Sequence, residues 1–288
     1  SVLYHHLSGM FGVGGKKVAS PRHLLRFASF KSNKFNNAFR DAVVFEDNHL
    51  LVVNKPGGCL TQGDKTGDTS LFAEAKQYLA GARKKDLSTV YLALVHRLDR
   101  VSSGVVVFGK TSKAASRLSE QFRLRTTAKH YVCVVNGSTE KNGAEHLQNM
   151  LRSNAHNKVF ISDEKSRHHE AKKAHLVYET VGDIKQNSRA QSLLWVRPTT
   201  GRKHQIRVQL SHIGHPIVGD IRYGAPQIFK TPVRDIALHA LALEISHPVT
   251  SQRMTFTCTV PSYWESRFCP TTVQQTERIA KILKKKDL

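Results

Sequence analysis

The pattern of hydrophobic and polar residues along the chain predicts many short strands and a few helices, beginning near Asp41. Short runs rich in Val, Ile, Leu and Tyr, bounded by turn residues, are typical of strands. These runs lie at 43–46, 50–54, 105–109, 130–135, 172–181, 191–197, 236–246 and 253–260. Apolar residues at helical spacing predict helices at 70–82, 112–125, 202–212 and 271–286.

Two of these elements and the polar segment at 136–171 have patterns that predict more detail. In the helix at 202–212, Ile206, Leu210 and Ile213 form the buried stripe, which leaves Arg207 and Lys203 on an adjoining face. In the strand at 130–135, alternation places Tyr131 on one face together with Cys133 and Val135. The polar residues 136–171 predict a turn, a short strand and a mobile basic loop.

The order of the elements favours an α+β fold. Helices do not alternate regularly with strands, and most strands are joined by short turns, so we expect a mixed, mostly antiparallel sheet flanked by helices and loops. We expect three parts: a basic N-terminal extension at 1–40, one folded domain at 41–270, and a basic C-terminal helix at 271–288.

The charge of the chain indicates a polyanionic partner. Its formal net charge is +22 and its pI is about 10.1, an excess that usually marks nucleic-acid binding. The alternative is a solvated basic surface without a specific partner. Residues 1–40 contain seven Lys and Arg and no acidic residue. That composition is typical of an organellar targeting segment or the region after one, and also of an RNA-binding arm.

Cysteine spacing and hydropathy indicate which kinds of site and partner the chain is not expected to have. The four cysteines form no CxxC pair and have no partnered histidine spacing, which argues against a zinc site and against a disulfide framework. We therefore expect a reducing compartment. No apolar run approaches the roughly 20 residues needed to cross a bilayer, so no membrane partner is expected. A mitochondrial location is the first expectation, with the cytoplasm or another organelle as alternatives.

The segment His96–Gly104 carries the most informative chemistry. Asp99 stands between Arg97 and Arg100, on a loop between two apolar segments. Flanking guanidinium groups favour the ionised form of a carboxylate, and their charge attracts a polyanion. A carboxylate in such surroundings is typical of an enzyme that acts on a nucleotide sugar or base.

Five ordered segments of this chain resemble the RluA-type pseudouridine synthase family. They are EDNHLLVVNKPGG at 46–58, HRLDRVSSGVVVFGKT at 96–111, KHYVCVVNG at 129–137, TGRKHQIRVQLSHIGHPIVGDIRYG at 200–224 and LHALALEISHPVT at 238–250. The resemblance covers roughly residues 41–262. It implies a pseudouridine synthase catalytic domain that isomerises uridine in RNA, without a cofactor or metal. Many family members also have an S4-type RNA-binding domain, and residues 1–40 are too short and unpatterned to form one.

The resemblance also assigns the central residues. Asp99 corresponds to the catalytic aspartate, as a nucleophile or as a base at the ribose, and its plainer alternative is a helix-capping or ion-paired acid. Tyr131 corresponds to the active-site tyrosine that packs on the target base, against the alternative of an ordinary core tyrosine. Arg207 corresponds to the basic partner of the aspartate, against the alternative of a helix-surface arginine that binds phosphate.

RNA contacts are expected around this centre. Arg97 corresponds to the residue that fills the space left by the extruded nucleotide, since a uridine within a helix must be flipped out to react. Arg100 beside the aspartate and the group Arg202, His204 and Gln205 are expected to contact the RNA backbone.

Two functions from different classes remain at this point. The first is an RNA pseudouridine synthase acting on ribosomal RNA of an organelle. The second is a non-catalytic RNA-binding factor of the same fold, acting on a ribosome assembly particle, which the large positive charge favours. Asp99 discriminates between them, because a scaffold has no need to keep it.

Overall fold

The computed structural model describes residues 39–84, 86–154, 158–162, 171–186, 189–226 and 235–285. Its strands are β1 (Val43–Glu46), β2 (Leu50–Lys55), β3 (Ala93–Leu94), β4 (Ser103–Gly109), β5 (Ala128–Asn136), β6 (Ala144–Ser153), β7 (Val159–Ser162), β8 (Lys172–Gln186), β9 (Arg189–Pro198), β10 (Leu238–Ser246) and β11 (Arg253–Thr257). Its helices are α1 (Leu71–Arg83), α2 (Ser112–Leu124), α3 (Gln205–His212), α4 (Tyr263–Phe268) and α5 (Pro270–Lys284).

The described strands form one mixed sheet in the order β1-β2-β4-β10-β5-β9-β8-β6-β7, with β3 and β11 paired to β4 and β10. The pairing of β4 with β10 is parallel, and the others are antiparallel. This confirms the α+β class expected from the sequence. The parallel pair lies in the middle of the sheet, so the loop that enters β4 lies beside the segment that enters β10.

The central strand β4 is buried on both faces, which explains its uninterrupted apolar sequence. On one face Val106 and Phe108 pack with Leu79 of α1. On the other face Val105 and Val107 pack with Leu118 of α2. Each helix begins after a residue whose side chain accepts a hydrogen bond from the first turn, and each ends at a residue with a left-handed backbone conformation. Local sequence therefore sets where both helices begin and end. The predicted helices at 70–82 and 112–125 are therefore confirmed.

The C-terminal helix belongs to the same core as the sheet. Ile279 and Leu283 of α5 are buried together with Val196 of β9 and Leu241 of β10. The short helix α4, which the sequence pattern does not reveal, contributes Trp264 to that cluster.

The prediction of a turn, a short strand and a loop at 136–171 was wrong over its first half. β6 is a long strand that pairs with β8 from Ala144–Glu179 to Leu151–Lys172, and β7 pairs with β6 in turn. The polar sequence of β6 does not show a strand pattern, because few of its side chains are buried. Its pairing is made by hydrogen bonds between backbone groups. Residues 163–170, where the mobile basic loop was predicted, lie outside the described residues.

The helix predicted at 202–212 begins three residues later, and its environment differs from the expectation. From Gln205 to Leu210 every residue of α3 is buried, including Arg207. Val208, which lies off the predicted stripe, packs with Leu151 of β6 and Val159 of β7. The helix is covered there by the β6–β7 hairpin, which the sequence pattern did not reveal.

Candidate active site

The loop that carries Asp99 is held on both sides by hydrogen bonds from buried side chains to its backbone carbonyls. Lys55 is fully buried, and its Nζ donates to the carbonyl oxygens of Pro56 (2.9 Å), Cys59 (2.7 Å) and Arg100 (3.2 Å). The Thr61 hydroxyl donates to the Leu98 carbonyl at 2.8 Å. These bonds fix the residues on either side of Asp99, so its carboxylate emerges from a rigid turn rather than from a mobile loop.

A glycine allows this loop to enter the sheet beside β10. Gly104 has φ +119°, and a Cβ at this position would lie 2.3 Å from the carbonyl oxygen of Ala240. A larger residue would push β4 away from β10 and displace the loop before it. The parallel pairing of Ala240 with Gly104 therefore depends on a residue without a side chain.

Arg207 connects Asp99 to a second, deeply buried carboxylate. Its Nη1 donates to Asp99 Oδ2 at 3.0 Å, while its Nε and Nη2 donate to Asp220 at 2.6 and 2.9 Å. The Asp220 side chain is 1% exposed and that of Asp99 is 26% exposed. The guanidinium is thus held by the buried Asp220, and its remaining nitrogen donates to the more exposed Asp99.

Tyr131 lies on β5, between Ala240 of β10 and Val196 of β9. Burial raises the pKa of its phenol well above the ordinary value, and the nearby Asp99 charge raises it further. The hydroxyl is therefore a neutral donor at any physiological pH. Its side chain lines the same cleft as Asp99 and Arg207. The three residues predicted from the sequence to form the centre are adjacent in space.

His204 immediately precedes α3 and also lines the cleft. Its Nδ1 lies 2.7 Å from the hydroxyl of Tyr223, and its Nε2 lies 3.9 Å from Asp99 Oδ2. Burial lowers the pKa of His204 to about 4, although the Asp99 charge opposes this shift. The imidazole is neutral at neutral pH.

The cleft has a volume of about 450 Å³ and is strongly cationic. Its basic lining residues are Arg97, Arg123, Arg125, Lys129, Arg202 and Arg207. This volume suits a single extruded nucleotide, since ligand sites commonly measure about 300–1,000 Å³. The positive rim suits the phosphates on either side of it.

The predicted RNA contacts occupy different places around the cleft. Arg97 is exposed at the cleft. Arg202 lies at the rim and donates through Nε to the Lys173 carbonyl at 3.0 Å. Gln205 also lines the cleft, but it is buried and engaged with Thr200 and the backbone. Arg100 lies outside the cleft lining and pairs with Asp68. These RNA contacts stay predictions.

Sequence reasoning missed three residues of the site. Asp220 and Tyr223 stand in the quoted segment at 200–224, but their surroundings are typical of a turn and gave no sign of a buried partner. Lys129 is two residues before Tyr131 on the same face of β5, and that period of two was the available signal. Burial and the neighbouring Arg125 lower the pKa of Lys129 to about 8.

The sequence of the chain is similar to that of known proteins. A family model described as RNA pseudouridylate synthase matches residues 49–212, more than half of the chain. The chain belongs to the RNA pseudouridylate synthase family. Members of this family are isomerases, and similarity to curated ribosomal and dual-specificity synthases supports the RluA type that the sequence segments indicated.

Two relatives illustrate the range of substrates within this family. Ribosomal large subunit pseudouridine synthase C of Yersinia pestis is 35% identical over 225 residues, which cover 75% of this chain and 65% of that protein. Dual-specificity RNA pseudouridine synthase RluA of Haemophilus influenzae is 34% identical over 221 residues, which cover 74% of this chain and 90% of that protein. The chain thus covers 65% of the first relative's length, which is less than two thirds, and 90% of the second's.

The fold agrees with a solved structure. Human RNA Pseudouridylate Synthase Domain Containing 4 superposes with a TM-score of 0.64 at 23% identity, covering 85% of this chain and 96% of that one. In the part of the chain that the structure describes, no helix is long and apolar enough to cross a membrane, and no cluster of three His, Cys, Asp or Glu side chains is placed to hold a metal ion.

Proposed function

We propose that this chain isomerises uridine to pseudouridine in RNA, with ribosomal RNA as its substrate. The reaction breaks the bond between ribose C1′ and uracil N1 and joins C1′ to C5 of the same ring. A proton leaves C5 and one returns to N1, so atoms and electrons balance within the nucleotide. The observation that carries the proposal is the Asp99 carboxylate, held by Arg207 at 3.0 Å inside a cationic cleft of nucleotide size.

In this proposal each central residue acts on the flipped nucleotide. Asp99 attacks C1′ or removes a ribose proton, and both routes use the same carboxylate. Arg207 keeps that carboxylate aimed at the sugar while Asp220 keeps Arg207 in place. Tyr131 packs on the uracil ring and, as a neutral phenol, is able to exchange the proton of C5.

The rim of the cleft supports an RNA substrate over a free nucleotide. Arg97 is exposed at the cleft beside Asp99, where a planar guanidinium is placed to stack in the gap left by an extruded base. Arg125 is exposed in the lining of the same cleft and is available to flanking phosphates.

The RNA class and compartment are the finer parts of the proposal. The names of the relatives include ribosomal and transfer RNA synthases, which supports ribosomal RNA first and transfer RNA second. The acid-free, basic composition of residues 1–40 supports an organelle, with the mitochondrion first.

A second function, an RNA-binding factor of a ribosome assembly particle that does not need catalysis, is favoured by the net charge of +22. The test for both is a pseudouridine map of cellular and organellar RNA. Cells lacking the protein are rescued with wild type or with Asp99→Ala, and ribosome profiles are compared. A modified site restored by wild type alone supports the enzyme and names its substrate. Full rescue of ribosomes by Asp99→Ala, with no site lost in the deletion, supports the assembly factor.

A further inference from the structure

His204 is held in a conformation that its own backbone disfavours. It has φ +51° and ψ +22°, in the left-handed region, and its side chain makes no capping bond to α3. Such a residue persists only where its surroundings over-determine it, and these positions cluster at functional sites. The backbone places the ring between Tyr223 and Asp99 instead of over the helix end.

The hydrogen bonds of Tyr223 determine which nitrogen of His204 carries the proton. The buried Tyr223 hydroxyl accepts from the backbone N–H of Val159 at 3.2 Å and lies 2.7 Å from His204 Nδ1. Among the described residues, His204 Nδ1 is the acceptor within hydrogen-bond distance of the phenol. A buried tyrosine hydroxyl needs an acceptor for its proton, so it donates to Nδ1. The neutral imidazole then carries its own proton on Nε2.

The Nε2–H group faces the catalytic carboxylate without being bonded to it. The distance of 3.9 Å from Nε2 to Asp99 Oδ2 is too long for a hydrogen bond. The ring lines the cleft, and its side chain is 11% exposed. Burial, with help from Arg207, Lys203 and Arg222 and against Asp99, keeps the ring neutral. The site therefore presents an uncharged donor beside the atom that attacks or deprotonates the sugar.

We propose that His204 contacts the target nucleotide directly, its Nε2–H donating to an oxygen near C1′, either the ribose 2′-hydroxyl or uracil O2. Tyr223 is a positioning residue that fixes the tautomer and direction of that donor. This inference rests on the proposed function and changes the role of His204 from a contact with the RNA backbone to one within the reacting nucleotide. The 2′-hydroxyl oxygen is two bonds from C1′ and uracil O2 is three, so both lie in the region that Asp99 must reach.

The tautomer is tested without turnover. Nitrogen-15 NMR of the histidine-labelled protein is expected to show His204 with an unprotonated Nδ1 and a protonated Nε2. In Tyr223→Phe this preference weakens, because Nδ1 loses its donor. The Nε2–H resonance is expected to shift when a uridine stem-loop RNA is added. A proton on Nδ1 in the wild type, or a resonance that RNA leaves unchanged, overturns the inference even if the protein makes pseudouridine.

The contact is tested by single-turnover rates at saturating RNA, with RNA affinity measured separately. In His204→Asn the amide suits the left-handed backbone and still reaches Tyr223, but it lacks the distal donor. Its rate is expected to fall about 10- to 100-fold with little change in affinity. His204→Gln restores a distal N–H and is expected to recover part of the rate. The matched controls His212→Asn and Tyr91→Phe change exposed residues outside the cleft and keep the wild-type rate.

Modified targets identify the oxygen. If the 2′-hydroxyl is the acceptor, His204→Asn and the wild type react at equal rates on a 2′-deoxyuridine target. If uracil O2 is the acceptor, the rate difference between them becomes smaller on a 2-thiouridine target. A penalty that is unchanged on both targets, or one that appears only in RNA affinity, overturns the inference. A wild type that forms no pseudouridine in any RNA sinks the proposed function, while the NMR titration still decides whether His204 contacts RNA.

Discussion

Arg207 gives two of its nitrogens to Asp220 and one to Asp99, at 2.6, 2.9 and 3.0 Å. The two carboxylates differ in solvent exposure, because Asp220 is buried and Asp99 faces the cleft. The ring of Tyr223 lies under the guanidinium, 5.0 Å from its carbon to the ring centroid. Arg207 is therefore placed before any RNA arrives, and its direction does not depend on Asp99.

Asp220→Asn is expected to damage both stability and catalysis. The change leaves a buried guanidinium with one carboxylate in place of two, and breaking a buried ion pair typically costs about 3–5 kcal/mol. We expect a loss near the lower end of that range in urea unfolding, because Asp99 still pairs with Arg207. The single-turnover rate falls as well. The control is Asp68→Asn, which removes an exposed partner of Arg100 and should cost less than about 1 kcal/mol. Equal losses in the two variants would contradict the buried anchor.

Asp99→Ala is expected to abolish pseudouridine formation while leaving the fold intact. Arg207 keeps its bidentate bond to Asp220, so no buried charge is left without a partner. RNA affinity should change little, because phosphate contacts dominate binding. Product analysis of a target RNA and a binding isotherm measure the two effects. Retained turnover would remove Asp99 from its proposed role, and a large loss of affinity would show that it mainly binds RNA.

The sequence predicted the sheet and the central trio better than it predicted their surroundings. Asp99, Tyr131 and Arg207 stand in long, specific segments, and the strands beside them have uninterrupted apolar runs. The burial of Arg207 was not predictable, because it depends on Asp220 and on the cover supplied by β6 and β7. β6 carries a largely polar sequence and is paired through its backbone, and backbone pairing leaves little mark on residue type.

Lys129 is expected to make RNA binding depend on pH. Its pKa is lowered to about 8 by burial and by Arg125, so it loses its charge as pH rises through 8. RNA affinity of the wild type should weaken between about pH 7 and 9, in proportion to that loss. Lys129→Arg stays charged and should show a flatter profile. Lys129→Met should lower the slope of log affinity against log salt by about 1. Identical pH profiles for wild type and Lys129→Arg would exclude Lys129 from the RNA contact.

Arg97→Ala is expected to discriminate between paired and unpaired targets. A uridine in a stem must be unstacked before it reaches Asp99, at a cost of a few kcal/mol, and the exposed Arg97 is placed to offset that cost. The rate should fall about tenfold or more on a target in a stem and far less on one in a single strand. Arg117→Ala, on α2 outside the cleft, is the control. A loss that is equal on both targets would show that Arg97 binds phosphate and does not fill the vacated space.

Buried neutral histidines are expected to make the fold sensitive to acid. Burial lowers the pKa of His239 and of His204 to about 4, from an ordinary value of 6.5. Between these values the unfolded chain binds more protons than the folded one, so the free energy of unfolding rises with pH across this window. Below pH 4.5 the Glu244 carboxylate adds to the effect, because a hydrogen bond with His130 lowers its pKa to about 2.

His239→Gln should remove one such group and lower the slope of unfolding free energy by about 1 kcal/mol per pH unit near pH 5. The slope is the measurement, taken from urea unfolding at several pH values, because it is separate from any constant loss of packing around Ser103. If His239→Gln kept the wild-type slope, His239 would have to be protonated inside the folded protein. Its ring would then lie in a polar environment rather than in the buried one between Ser103 and Cys258.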